Sequence, residues 1–299
     1  MKKNLFLFAL FFGFQILTAQ YTEIINSKRP GFSESPYGVG TKVFQVEAGA
    51  FYHKRAYNQL FDTSKSFGSS LFLRYGIFSE KLEFNLDFAY QQDERVFYNV
   101  IPSYFYNVNG ISKLRFGVKY LIHNQKYTDK SKEVRSWKKR TAFDMKRLIP
   151  SVGVYVGVNP NFIGKDFKED GVSLKGAVLL QNDISSRFVI LTNLIADKIL
   201  LKNKTEFGYI LTATYAVSTK WSIFGENQGV FSKYKDNEFQ FGAGTAYLLN
   251  NNVQFDISAR SDFFADKTNY YLSLGGSWRL DRHRKTKKSE DVLKGEKQG

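Results

Sequence analysis

The sequence predicts an all-β chain, a transmembrane antiparallel up-and-down β-barrel of about twelve strands. Three observations predict it. From Val43 to Leu280, apolar and polar residues alternate in stretches of about ten. The connections between these stretches are tight at one end and longer at the other. Mean hydropathy is −0.34, too polar for a bundle of membrane helices. That value leaves a membrane barrel open, because only every second strand residue faces lipid.

The chain opens on Lys2 and Lys3, an apolar run from Leu5 to Leu17, and Thr18-Ala19-Gln20. This order of basic, apolar and small residues predicts a secretory signal peptide over residues 1–19. The run is shorter than the roughly 20 residues a spanning helix needs. Cleavage lowers the formal net charge from +15 to +13.

Residues 20–41 are turn-rich, and Pro30 and Pro36 cannot donate in a strand ladder. This segment is either a solvated leader or a plug folded into the barrel mouth. As a plug it is the candidate gate, with Arg29 and Glu34 as its charged residues.

The barrel itself is expected over 42–280. Its strands are expected near 42–53, 66–76, 81–92, 111–122, 148–159, 171–181, 187–197, 204–217, 219–231, 237–249, 252–261 and 268–280. In 82–90, Leu82, Phe84, Leu86, Phe88 and Tyr90 share one face, and Glu83, Asn85 and Asp87 share the other. Likewise Val253, Phe255 and Ile257 oppose Gln254, Asp256, Ser258 and Arg260. A soluble sandwich would also alternate, but its strands run to five or six residues.

The polar face carries Glu47, Glu83, Asp87, Glu206, Glu226 and Asp256 against Arg74, Arg115, Lys119, Lys175, Arg260 and Arg279. That balance predicts a lumen of mixed charge. Aromatic residues gather at strand ends, at Tyr52, Tyr75, Tyr90, Tyr120, Tyr215, Trp221, Tyr247, Tyr270 and Trp278. Such rings form the girdles of a membrane barrel at its two interfaces. The lumen candidates for transport are Glu83, Asp87, Arg115, Lys119, Glu226, Asp256 and Arg260, beside Arg29 and Glu34. The same charges could equally pair across the lumen simply to fix the barrel.

Segment 123–147 breaks the hairpin rhythm. It holds nine basic and three acidic residues, and strand parity puts it at the end where turns should be short. It is either an insertion, with a helical turn near Glu133 to Lys139, or the sign of a missed strand near 94–106. A basic polar tail, 281–299, follows the last strand.

Other classes find little support. The chain has no cysteine and only His53, His123 and His283. No thiol nucleophile, disulfide or Cys-bound metal is available, and neither a metal nor a cofactor is expected. No G-x-S-x-G, H-E-x-x-H or P-loop string occurs. The reading is therefore non-enzymatic. The basic charge suits anionic lipid and lipopolysaccharide better than nucleic acid, since no nucleic-acid motif accompanies it. Expected partners are outer-membrane lipid, lipopolysaccharide, a small-molecule permeant and, during biogenesis, the barrel assembly machinery.

Several strings, in order, carry a resemblance to a known family. Residues 29–36 (RPGFSESP) ahead of 44–49 (FQVEAG) are similar to the opening of the "putative MetA-pathway of phenol degradation" family. Residues 111–120 (ISKLRFGVKY), 224–226 (FGE), 246–248 (AYL), 254–256 (QFD) and 276–281 (GSWRLD) resemble its later strands. Residues 135–138 (RSWK) and 146–150 (KRLIP) are similar to its members from Bacteroidota. The resemblance spans about 24–283. It implies an outer-membrane barrel that passes small hydrophobic or aromatic compounds, exported from a Gram-negative cell. It carries over no catalytic residue, and its phenol label reflects the genetic context of some members. About twelve strands lie between the eight that side chains fill and the sixteen that leave an open channel, so the expected mechanism is passive diffusion through a narrow polar lumen. The rival readings are a non-conducting structural or interaction barrel and a barrel-embedded hydrolase.

Overall fold

A computed structural model describes residues 24–57, 62–97, 104–126, 143–202, 204–233, 237–262 and 267–282. The expected signal peptide, the expected helical turn within 133–139, His283 and the tail after Arg282 lie outside these residues.

Twelve antiparallel strands follow one another around a closed barrel. They are β1 (Val43–Tyr57), β2 (Asp62–Gly76), β3 (Leu82–Phe97), β4 (Tyr104–His123), β5 (Ser151–Asn159) and β6 (Ser173–Asp183). The circuit continues with β7 (Phe188–Ile199), β8 (Glu206–Ala216), β9 (Trp221–Ser232), β10 (Glu238–Asn250), β11 (Val253–Ser261) and β12 (Lys267–Asp281). Closure is made by β1 against β12, in unbroken register from Val43↔Asp281 to Tyr57↔Lys267. With no free edge, backbone donors and acceptors across the barrel wall meet a partner, as a bilayer demands. Among the described residues, no helix is long and apolar enough to cross a membrane.

Parity then sorts the side chains. Phe84, Phe116, Val156, Leu194, Leu211, Phe255 and Leu274 stand on the outer wall and are exposed. Leu274 reaches 62%. A continuous apolar surface of this kind is stable only against lipid. Aromatic pairs mark its height. Tyr75 and Phe67 on β2, Phe44 and Tyr52 on β1, and Trp278 and Tyr270 on β12 each lie eight residues apart. At about 3.3 Å per residue and a tilt near 40°, that is about 20 Å of height, close to the apolar band of an outer-membrane barrel. Trp221 and Tyr247 pack with ring centroids 4.8 Å apart at the turn end.

One expectation needs correction and one open alternative is decided. The segments read as loops, 54–65 and 93–110, are largely strand: β1 to β4 run on by four to seven residues beyond the apolar band. On β3 both faces turn polar here, at Gln91, Gln92, Asp93, Glu94 and Arg95, whereas β4 carries Tyr104, Phe105, Tyr106 and Val108 without a two-residue period. Hydrophobic periodicity therefore stops where the lipid stops, while the backbone ladder continues, helped by Lys65–Glu94 at 3.9 Å and Arg95–Asp93 at 3.0 Å. The second concerns 123–147. No strand is missing between β3 and β4, so the segment is an insertion at the turn end. Its described flank folds onto the barrel rim: Gln125 donates to the Arg147 carbonyl at 2.6 Å, and Arg147 donates to the Asp183 carbonyl at 2.8 Å.

Candidate functional site

The lumen is occupied by the chain's own N-terminal segment. It enters at the turn end, where the Ile25 amide donates to the Asn251 carbonyl at 2.9 Å. It climbs to Arg29–Phe32, then descends past Tyr37 and Val39 into β1. The prolines that bar this stretch from the ladder leave it free to run across the lumen, with the wall carboxylates as acceptors.

Four carboxylates on four strands hold it. Glu47 of β1 accepts the Lys28 amide at 3.0 Å, the Arg29 amide at 3.2 Å and the Ser27 hydroxyl at 3.0 Å. Glu226 of β9 accepts the Phe32 and Ser33 amides at 3.0 and 3.2 Å. Glu83 of β3 accepts the Val39 amide at 2.9 Å. Asp256 of β11 takes the Arg29 guanidinium through Nε at 3.2 Å and Nη2 at 3.0 Å. On β7, Asn193 clamps the Glu34 peptide from both sides, accepting its amide at 2.6 Å and donating to its carbonyl at 2.9 Å.

Space for the segment is cut into the wall. Gly49 and Gly275 face each other across the β1–β12 seam. A Cβ at Gly49 would lie 2.5 Å from the Arg29 guanidinium atoms. Only glycine leaves room there for the planar fork to reach Asp256.

Of the nine sequence candidates, all face the interior, and they fall into three groups. Glu34, Glu83 and Lys119 belong to a dry network at the turn end. There Lys119 Nζ lies 3.2 Å from both Glu34 and Glu83, and Arg74 binds Glu83 through Nε and Nη2, each at 2.9 Å. Arg74 also reaches Glu47 at 3.2 Å. Lys119, Glu83, Arg74 and Glu47 are at most 1% exposed. Arg29, Asp256, Glu226 and Arg260 form the central lock, where Arg260 Nε meets Glu226 at 3.1 Å and its guanidinium lies 3.3 Å from the Phe32 ring centroid. Asp87 and Arg115 stand apart toward the loop end, where Asp87 pairs with Lys113 at 2.5 Å and Arg115 with Asp197 at 2.9 Å.

The segment divides the remaining space. A loop-side chamber of about 620 Å³ lies above Lys28–Phe32, and a turn-side chamber of about 230 Å³ lies below. Lys28, Arg29, Pro30 and Gly31 line both and form the partition. Phe167, from the β5–β6 connection, leans in over the upper chamber, and the Gly164 amide beside it donates to the Ile111 carbonyl at 2.9 Å. His53 also lines this chamber, bonded to Asn269 at 2.6 Å, whereas His123 is exposed at the end of β4. Among the described residues no cluster of His, Asp or Glu has metal-binding geometry.

The family described as "Putative MetA-pathway of phenol degradation" matches residues 27–280, from the inserted segment to the closing strand. The chain belongs to this family. Among curated protein sequences none matches it. Of solved structures, the translocator domain of the autotransporter NalP from Neisseria meningitidis has a TM-score of 0.50 at 12% identity, covering 81% of this chain and 89% of its own. It shares the barrel fold. The NanC porin has a TM-score of 0.48 at 10% identity, with 79% and 100% covered. The CymD monoaromatic hydrocarbon channel has 0.44 at 8%, with 81% and 89% covered.

Sequence reasoning missed several residues of this family member's lumen. Glu47 and Arg74 were legible as inward-facing charges, but nothing local marked them as holding the segment. Asn193 and Asp197 escaped because β7 (FVILTNLIADKI) is apolar on both faces, which hides its parity. Nothing local in the sequence marks Lys28 and Lys113, whose place is set by the chambers they line.

Proposed function

We propose that this protein is a gated outer-membrane channel that passes small, hydrophobic or aromatic molecules by passive diffusion. In this reading the turn end, with the start of β1 and the end of β12, faces the periplasm, and the extended β1–β4 wall faces outward. One observation carries it: a closed barrel with an apolar exterior encloses two chambers parted by a short segment of its own chain. Eight strands would be filled by side chains and sixteen would leave an open pore. Twelve leave room that one segment can block. The partition is held by hydrogen bonds and ion pairs, which can exchange with water, so displacement needs no unfolding of the wall. The lumen groups pair as acids with bases in a way that fixes structure, which supports a non-enzymatic role.

The occupied lumen also favours a second reading, a non-conducting structural barrel. Solute flux separates the two. Purified full-length protein in liposomes is expected to show slow swelling in small neutral solutes. Arg29→Gln, which removes the bidentate grip on Asp256, is expected to raise that rate several-fold. Absence of flux in both proteins would establish the non-conducting reading.

A further inference from the structure

The loop-side chamber carries cations that the lock does not consume. Six basic side chains line it, Lys28, Arg29, Arg55, Lys113, Lys198 and Arg260, against two carboxylates, Glu47 and Asp87. Arg29 and Arg260 are held from behind by Asp256 and Glu226. Lys198 meets Glu206 at 2.8 Å and Glu169 at 3.9 Å, farther toward the loops. Lys28 and Lys113 are different. Both use one oxygen of a single carboxylate, lying 4.0 and 2.5 Å from Asp87 Oδ2. An adjoining chamber of about 290 Å³ is lined by Lys28, Lys113 and Lys175 with Asp197 and Glu206. Arg115 and Lys175 share Asp197, at 2.9 and 4.0 Å. Four cations thus surround two carboxylates.

The other wall is aromatic. Phe51 and Tyr271 stack at 5.6 Å and 17°, and Phe32 meets Tyr271 edge-on at 5.3 Å. The Lys28 ammonium lies 4.7 Å above the Phe72 ring, at the boundary between the two kinds of lining. A chamber of this volume is in the range of small-molecule sites. Two ammonium groups on one carboxylate leave a place for a second acidic group. Flat rings lining the same chamber offer stacking to an aromatic body.

We propose that the loop-side chamber binds a small aromatic carboxylate, its acid group between Lys28 and Lys113 and its ring against Phe51, Phe32 and Tyr271. The proposal rests on the channel reading for its use, as the recognition step ahead of the partition. Binding itself does not require conduction. A neutral aromatic satisfies only the ring half of the site, and a sugar acid only the charged half.

Titration calorimetry on the full-length protein in detergent tests this, with benzoate, benzyl alcohol and galacturonate as probes. Benzoate is expected to bind at least tenfold more tightly than either of the others. Lys28→Gln/Lys113→Gln should lose that advantage, with folding checked by heat-shifted migration on electrophoresis. Asp87→Asn should do the reverse and tighten benzoate several-fold, because it returns both ammonium groups to the chamber. Equal affinity for benzoate and benzyl alcohol would overturn the charged half. Galacturonate binding as tightly as benzoate would overturn the aromatic half, and weaker benzoate binding in Asp87→Asn would overturn the placement. Salt conductance in planar bilayers, measured alongside, tests the channel reading by itself. Conduction without benzoate binding defeats this proposal and spares the channel, and binding without conduction does the opposite.

Discussion

At the scale of single residues, the inserted segment is fixed by a few charges whose positions are tightly coupled. Arg29 illustrates this. Its guanidinium reaches Asp256 and the Ser273 hydroxyl, at 2.9 Å, through a notch that two glycines keep open. Gly49→Ala puts a methyl group where the fork lies, so Arg29 must withdraw or the seam must shift. The expected cost is about 1–3 kcal/mol. Asp256→Asn removes the partner of the same guanidinium. Because both changes act on Arg29, their costs should not add. Urea unfolding of the two single variants and the double variant checks this: the double variant should fall short of the sum by about 1 kcal/mol or more. Strict additivity would mean that Arg29 is not the shared element. Glu226 is a different kind of position. It takes two backbone amides, the Thr212 hydroxyl at 2.9 Å and Arg260. Loss of its charge leaves Arg260 buried without its counter-ion, for which about 3–5 kcal/mol is expected.

At the scale of elements, the wall and its contents obey different rules: the sequence shows the wall, the inward charges and a candidate plug, but not which of these groups meet. Period-two alternation in β3 and β11 reveals which face of each strand meets lipid, because that division repeats within a few residues. The lumen is assembled from contacts far apart in the chain, such as Arg29 with Asp256 and Ser27 with Ser277, and no local pattern encodes them. Alternation also fails where it has nothing to act on: on β7, apolar on both faces, and in the extension of β3, polar on both faces. The occupied lumen further alters what a change at an inward position means. Asn85 reads as a water-facing residue, yet it is buried and its side-chain oxygen accepts from Tyr155 at 3.4 Å. A sound comparison of the two faces therefore needs an inward position that lines a chamber, such as Ser112. Ile257→Arg, opposite Leu274 and midway between the Trp278 and Tyr270 levels, faces mid-bilayer and should cost about 2–4 kcal/mol. Ser112→Glu enters the cation-rich loop-side chamber and should cost about 1 kcal/mol or less. Equal costs in a lipid-refolding titration would contradict the assignment of faces.

At the scale of the whole molecule, the question is whether the segment moves for solutes to pass. The closed β1–β12 seam and the long ladders of β1–β4 make the wall the rigid partner. The segment is joined to it covalently only where it runs into β1. One contact allows the motion to be stopped at will. The Ser27 and Ser277 hydroxyl oxygens, one on the segment and one on β12, lie 2.6 Å apart. Sulfur atoms in their places would be near the roughly 2.05 Å of a disulfide bond. The chain contains no cysteine of its own, so an introduced pair has no competing thiol. Ser27→Cys/Ser277→Cys should therefore cross-link on oxidation and reopen on reduction. A segment that swings out during permeation predicts that oxidation abolishes solute flux in liposomes and that reduction restores it in the same preparation. A segment that stays in place while solutes slip past predicts equal flux in both states. The reduced form of the same variant is the internal control, because the two lost hydroxyl contacts are common to both states.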